Sequence, residues 1–160
     1  MATELEDLRI LQTAENIADA VWKQVVQWDE FARDVVGKQL ARSTDSIGAN
    51  IAESYGHFNY GEKLQFLYYA RGSLFETKYW LNRALVRELM QSEDVKGYAA
   101  RLSDVARQLN TFANSLKSQR KDNKVSSKSV SESSAEYIVE DRFNDSIPFF
   151  TDLELNWLES

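Results

Sequence analysis

The stretch RSTDSIGANIAESYG, residues 42–56, combines a helical spacing of apolar residues with many small and polar ones. Ile47 and Ile51 stand four residues apart, as on the buried stripe of a helix. The small and polar side chains around them are Ser43, Ser46, Gly48, Ala49, Asn50, Ala52 and Ser54. Small residues on a helix allow a second backbone to approach closely. The stretch therefore predicts a tightly packed helix crossing, and with it a helical fold.

This stretch defines a predicted helix-crossing motif. A glycine inside a helix costs about 1 kcal/mol relative to alanine, so Gly48 requires an offsetting reason such as close packing or a kink. Asn50 and Glu53 lie on the side away from the two isoleucines and need partners if they are buried. Arg42 and Arg71 are candidate partners for Glu53. The residues assigned to the motif are Ser46, Gly48, Ala49, Asn50 and Glu53. We favour a structural role, a polar pair that fixes helix register, over a functional one.

Working outward, the apolar periodicity predicts four helices. They cover about residues 5–28, 38–55, 61–89 and 92–117, and residues 29–37 form a connection with one turn of helix. The most regular stripe is that of the fourth helix: Tyr98, Leu102, Val105, Leu109, Phe112 and Leu116. The only proline is Pro148, so no proline interrupts these segments. The prediction is an all-α fold, an antiparallel up-down four-helix bundle over residues 1–117.

Three residues carry signals for helix ends. Gly56 suits a helix C-terminus because glycine adopts the left-handed conformation without a Cβ penalty. Asn59, with Glu62 three residues later, is predicted to cap the third helix. Ser92, followed by two acidic residues, is predicted to cap the fourth.

Composition restricts the class of protein. The chain has 160 residues, no cysteine and a mean hydropathy of -0.48, which excludes disulfides, thiol chemistry and thiolate metal sites. No apolar run approaches the length of a membrane span. The N-terminal sequence MATELEDLRI is acidic and lacks the apolar core of a signal peptide. We expect a cytoplasmic protein that does not contact a membrane.

The C-terminal part differs from the body in charge and composition. Residues 122–160 contain 9 acidic and 3 basic residues, which accounts for the whole net charge of -6. Residues 118–136 are predicted to be a flexible Ser-rich linker. Residues 137–160 form an acidic segment in which apolar residues return. Its candidate docking residues are Phe149, Phe150, Leu153, Leu155, Trp157 and Leu158.

Within the tail, Leu153 and Trp157 are predicted to share one face of a short helix. A helix of this length is marginal in water, so the tail needs a surface on which to bury its apolar residues. We favour a partner protein over the chain's own bundle. A third reading is that the acidic residues shield a basic patch on the body.

The sequence argues against an enzyme. His57 is the only histidine and lies in a predicted loop, which excludes a di-iron site built on Glu-x-x-His pairs and leaves no Ser–His–acid set. No glycine-rich phosphate loop is present. We expect no catalytic residues, no cofactor and no metal.

Two sets of residues are candidates for binding. The third helix carries a second apolar face in addition to its core stripe, and this face is predicted to contact another subunit. The interface candidates are Tyr68, Phe75, Tyr79 and Trp80. The candidates for binding a polyanion are Arg71, Lys78, Arg83, Arg87, Arg101, Arg107, Lys117, Arg120 and Lys121. Acidic residues interleave with them, so an ordinary solvated face is the stronger reading of this set.

The motifs QLAR (39–42), SIGANIAE (46–53), FL (66–67) and ARGSLFE (70–76) resemble a known family. It is the four-helix-bundle family of proteins encoded within intervening sequences of large-subunit ribosomal RNA, which includes the accessory variability proteins of diversity-generating retroelements. The match covers about residues 5–117. Gly48 replaces the proline of the family pattern, and Ser54 replaces a glycine. The basic residue that usually follows the motif is also replaced, around residues 57–59.

The resemblance implies a non-enzymatic homo-oligomer, typically a pentamer. In the retroelement branch it implies binding to nucleic acid and to a reverse transcriptase. The leading hypothesis is therefore an accessory protein that binds a protein or nucleoprotein partner. The alternative is a protein-directed adaptor whose acidic tail carries the specificity and which does not bind nucleic acid.

Overall fold

The structure, a computed structural model, describes the backbone of residues 3–126 and the side chains of residues 9–123. The helices are α1 (Thr3–Val25), α2 (Glu30–Ala32), α3 (Lys38–Tyr55), α4 (Tyr60–Val86) and α5 (Ser92–Ser126), with a π-helical segment, Arg33–Gly37, between α2 and α3. The backbone stays right-handed helical through both junctions of the π-helical segment. Residues 30–55 therefore form one continuous rod. The described residues contain no strand.

The four long rods form a closed bundle. α3 packs against α1 and α4, and α5 packs against α4 and α1. Short connections make consecutive rods antiparallel, so the all-α up-down four-helix bundle is confirmed. Within residues 3–126, no helix is long and apolar enough to cross a bilayer.

The core consists of the predicted apolar stripes. Leu40, Ile47 and Ile51 of α3 are fully buried, and so are Leu67, Leu74 and Leu81 of α4. All six residues of the predicted stripe on the fourth helix are buried in α5. Burial of such side chains contributes roughly 1.5–3 kcal/mol each, so these stripes are the main source of stability.

The second rod begins eight residues earlier than Lys38, where the sequence predicted its start. Asp29 caps it, because its carboxylate accepts a hydrogen bond from the Ala32 amide at 2.9 Å. Ala32, Val36 and Leu40 are all buried at four-residue intervals. Each such step rotates an α-helical stripe by about 40°. The wider turn of the π-helical segment takes up this rotation, so the three side chains stay on the core side.

The signals for helix ends are confirmed only in part. Asn59 caps α4, since its side-chain oxygen accepts a hydrogen bond from the Gly61 amide at 2.7 Å. The carboxylate of Glu62 lies 3.1 Å from Nδ1 of His57. Gly56 is right-handed (φ -72°, ψ -11°), so the predicted left-handed conformation is wrong. Its amide donates to the Glu53 carbonyl at 3.0 Å, which closes the last turn without a change of hand.

The fourth helix is longer than the sequence predicted. α5 continues to Ser126, so residues 118–126 are helical rather than flexible. The sequence SQRKDNKVS at these positions has no glycine or proline to stop a helix. The remainder of the predicted linker and the acidic segment 137–160 lie outside the described residues.

Candidate interaction surfaces

The predicted helix-crossing motif faces two different neighbours. On the α4 side, the hydroxyl oxygens of Ser46 and Ser73 lie 2.9 Å apart, and those of Ser43 and Thr77 lie 3.1 Å apart. We call these four residues the hydroxyl seam. Asn50 supports it by donating to the carbonyl and hydroxyl oxygens of Ser46 at 2.8 and 3.1 Å. The seam is therefore a structural contact that joins α3 to α4.

The small residues Gly48 and Ala49 do not form a tight crossing. A Cβ atom on Gly48 would lie 3.8 Å from Leu11 Cδ1 and 3.9 Å from Ala14 Cβ, which is ordinary contact. Ala49 is exposed. The glycine that has no room for a side chain is Gly37, where a Cβ would lie 2.6 Å from Val25 Cγ1. The close approach is therefore between the π-helical segment and the end of α1. The sequence had placed it further along the same rod, at Gly48.

Gly48 and Ala49 instead line a groove on the outer surface between α1 and α3. This α1/α3 groove has a volume of about 210 Å³ and is lined by Leu11, Ala14, Glu15, Ala18, Asp19, Thr44, Asp45, Gly48, Ala49 and Ala52. Its residues are small except for Leu11 and the three acids. Burial raises the pKa of Asp45, and the charge of Asp19 raises it further. The groove is thus a shallow surface of small side chains that includes three acidic residues.

A second surface runs along the outside of α4. Tyr68, Gly72, Phe75, Tyr79 and Val86 follow one another at steps of four, three, four and seven residues, as on one stripe of a helix. Phe75, Tyr79 and Val86 are 42%, 56% and 56% exposed. A Cβ atom on Gly72 would meet nothing within 4 Å. We call these five residues the α4 stripe.

Three of the four predicted interface residues, Tyr68, Phe75 and Tyr79, belong to the α4 stripe. The fourth is Trp80. Tyr68 and Trp80 are both partly buried and pack against the core. The ring of Trp80 meets that of Tyr79 edge-on at 5.0 Å. Trp80 therefore supports the stripe from the side.

Two arginines flank the α4 stripe. The guanidinium of Arg71 lies 5.5 Å from the centre of the Phe75 ring, and that of Arg83 lies 5.8 Å from the centre of the Tyr79 ring. Both distances are within the range of cation–π contacts. The exposed aromatic rings therefore carry positive charge beside them.

The nine candidates for polyanion binding are not brought into one patch. Arg107 pairs with Asp104 on its own helix. Arg101 lies over the ring of Tyr98, whose hydroxyl donates to Gln24 of α1 at 2.8 Å, so it occupies the α1 side of α5. The other candidates are spread along the bundle: Arg71, Lys78, Arg83 and Arg87 on α4, and Lys117, Arg120 and Lys121 on the last turns of α5. The candidate docking residues Phe149, Phe150, Leu153, Leu155, Trp157 and Leu158 lie outside the described residues.

The remaining polar cluster surrounds His57. Its Nε2 lies 3.4 Å from the carboxylate of Glu53, a partner that the sequence analysis did not name, and its ring stacks on Phe66 at 4.7 Å. No group of three or more histidine, cysteine or acidic side chains that could hold a metal ion occurs among the described residues. The cluster joins the end of α3 to the start of α4.

The α1/α3 groove was missed because it depends on which helices are neighbours. Its members on α1 and its members on α3 lie about thirty residues apart in the chain. Ala14 and Ala18 have helical spacing, and Glu15 and Asp19 lie beside them. This pattern could have suggested a helix face with small side chains and an acidic edge, as a groove requires.

Comparison with known proteins places the fold and the family. The chain is similar to a crystal structure of a protein of unknown function from the S23 ribosomal protein family of Bacteroides thetaiotaomicron, with 23% sequence identity and a TM-score of 0.63, over 68% of this chain and 98% of that one. No curated protein matches the chain. The family model described as 23S rRNA-intervening sequence protein matches residues 6–111. This match covers well over half of the sequence and includes every residue of the hydroxyl seam, the α1/α3 groove and the α4 stripe. The chain therefore belongs to the family of 23S rRNA-intervening sequence proteins.

Proposed function

We propose that this protein is a non-catalytic subunit of a homo-oligomer that serves as a binding platform for a protein or nucleoprotein partner. The α4 stripe is the observation that carries the proposal. A helix in a four-helix bundle needs one buried face, and α4 already buries Leu67, Leu74 and Leu81. The α4 stripe adds a second apolar face on which Phe75, Tyr79 and Val86 remain about half exposed, and a contact with another copy would bury them.

Gly72 supports a contact between copies. A glycine inside a helix costs about 1 kcal/mol relative to alanine, and no neighbouring atom of the described chain excludes a side chain at this position. A second backbone that approaches the middle of the stripe would offset this cost, because a side chain at Gly72 would then separate the two surfaces.

An oligomer would present to one partner several copies of any surface that lies outside the contacts between its subunits, and multivalency raises the overall affinity without new contacts. The resemblance to retroelement accessory proteins suggests a pentamer that binds a reverse transcriptase and its RNA or DNA. The arginines and lysines are scattered over one subunit, which favours a protein partner over a nucleic acid. A symmetric oligomer would repeat these basic residues, and only such a repeated set would favour a nucleic acid. The protein-directed adaptor remains the alternative within this proposal.

Mass photometry and sedimentation velocity test the assembly. The wild-type protein should form one discrete species well above 18.4 kDa, and Tyr79→Glu should shift it to a folded monomer because the interface would bury an unpaired charge. Phe58→Glu is the matched control, since Phe58 is fully exposed outside the stripe. A wild-type protein that is monomeric at micromolar concentration would refute the proposal.

Salt-dependent RNA binding separates the two kinds of partner. If the platform binds nucleic acid, Arg120→Gln and Lys121→Gln, which lie on α5 rather than beside the α4 stripe, should reduce the slope of log affinity against log salt. Arg107→Gln should leave it unchanged, because Arg107 is already paired with Asp104. Absence of any RNA or DNA retention at low salt favours the protein-directed adaptor.

A further inference from the structure

The two exposed surfaces of the bundle are complementary in shape. The α4 stripe projects aromatic rings from Phe75 and Tyr79, both about half exposed. The α1/α3 groove is a depression of about 210 Å³ lined mainly by alanine, glycine and threonine. A cavity of about 150 Å³ accepts benzene, so the groove has room for an aromatic ring.

The two surfaces are also complementary in charge. Arg71 and Arg83 accompany the rings of the α4 stripe, and three acids, Glu15, Asp19 and Asp45, surround the groove. Glu76 on α4 is exposed and offsets part of the positive charge, so the fit of shapes must provide much of the contact. Cations opposite the groove would relieve the repulsion between Asp19 and Asp45.

We propose, on the basis of the homo-oligomer proposed above, that the α4 stripe of one copy docks into the α1/α3 groove of the next copy. The contact joins two different surfaces, so each copy offers one stripe and one groove. Such head-to-tail contacts close into a ring when the rotation between copies allows it, and otherwise continue as a filament. Pairing of two α4 stripes would instead place arginines near arginines, which is unfavourable.

The size of the two surfaces agrees with this arrangement. The groove extends over α1 from Leu11 to Asp19, about 12 Å at 1.5 Å per residue. Phe75 and Tyr79 are one helical turn apart, about 6 Å by the same rise. The groove is therefore long enough to run alongside both rings, its volume of about 210 Å³ accepts one of them, and Gly72 on the same stripe allows the helix backbone to approach the rim.

The experiment blocks each surface in a different variant. Tyr79→Glu disables the stripe. Ala49→Arg fills the groove and offsets one of its negative charges, and Ala52→Arg is a second groove variant in case the first is unstable. Ala100→Arg is the matched control, because Ala100 is an exposed alanine on α5, outside both surfaces. Far-UV circular dichroism checks that each variant is folded.

Each blocked variant should self-associate at least tenfold more weakly than wild type, and Ala100→Arg should assemble normally. A mixture of Tyr79→Glu with Ala49→Arg should form a heterodimer and nothing larger, because one intact stripe meets one intact groove. Folded groove variants that assemble like wild type would overturn the inference while leaving the homo-oligomer intact. So would blocked variants that form no heterodimer. A monomeric wild type would instead refute the homo-oligomer itself.

Discussion

Gly37 and Gly48 occupy the same rod but should respond in opposite ways to alanine. At Gly37 a Cβ would lie 2.6 Å from Val25 Cγ1 and 3.4 Å from Trp28 Cε3. Favourable carbon–carbon contacts lie at about 3.5–4.0 Å, so Val25 must retreat by about 1 Å. Val25 is buried and β-branched, and its side chain has little rotameric freedom with which to do so.

The magnitude follows from two opposing effects. Overpacking of this kind costs about 1–3 kcal/mol, and the higher helix propensity of alanine returns up to about 1 kcal/mol. An overlap of about 1 Å places the overpacking cost in the upper part of its range, about 2–3 kcal/mol, so after this return Gly37→Ala should lower the free energy of unfolding by about 1–2 kcal/mol. Gly48→Ala meets only ordinary contacts at 3.8 and 3.9 Å, so it should raise that free energy by up to about 1 kcal/mol.

Urea unfolding followed by far-UV circular dichroism measures both effects. All proteins should be compared at one concentration, because any assembly makes apparent stability depend on it. A Gly37→Ala protein that is as stable as wild type would show that the π-helical segment is not packed as described. Equal destabilisation by both substitutions would refute the distinction between the two sites.

Four further predictions concern other parts of the chain. Glu88→Gly should raise the thermal midpoint, because Glu88 has φ 60° where α4 ends and non-glycine residues pay about 1–2 kcal/mol for the left-handed conformation. Thr77→Val should lower stability by about 1 kcal/mol in urea unfolding, since it removes the hydroxyl 3.1 Å from that of Ser43, and an unchanged midpoint would exclude a stabilising seam. Burial raises the pKa of Asp45 in the folded protein above the ordinary 3.8. In the monomeric Tyr79→Glu background, Asp45→Asn should therefore raise the free energy of unfolding at pH values above that folded pKa, and the gain should vanish as pH falls through it toward 3.8. A pH-independent effect would contradict this. Deleting residues 127–160 should leave the thermal midpoint and assembly unchanged while abolishing partner capture; loss of stability would make that segment part of the fold.

The parts of the fold that follow from regular periodicity were predictable from the sequence. Leu102, Val105 and Leu109 of α5 show this, because a stripe at 3.6-residue spacing has one way to be buried. The π-helical segment was not predictable in this way. The buried residues Ala32 and Val36 stand four residues apart, as they would on an α-helix, so their spacing does not reveal the wider turn.

The surfaces were predictable to unequal degrees. The α4 stripe lies on one helix, so Phe75 and Tyr79 could be recognised from a second apolar face alone. Whether Gly48 is crowded depends on the distance to Leu11 and Ala14 of another helix, and no pattern within residues 42–56 carries that distance. The left-handed conformation at a helix end was also misassigned. Glycine propensity suggested Gly56 at the end of α3, whereas the described residue with this conformation is Glu88 at the end of α4.

The order in which the helices pack has a consequence for folding kinetics. Four residues join α3 to α4, and four also join α1 to the rod of residues 30–55, so the two hairpins close with a similar loss of chain entropy. The α3–α4 hairpin gains in addition the contacts of the hydroxyl seam. α1 completes the bundle by packing against α3 and also against α5, which is distant in the chain. We therefore expect the docking of α1 to be a late folding step. Since α1 supplies one wall of the α1/α3 groove, a copy that has not finished folding would present an α4 stripe but no complete groove, and a growing head-to-tail assembly would stop at that copy.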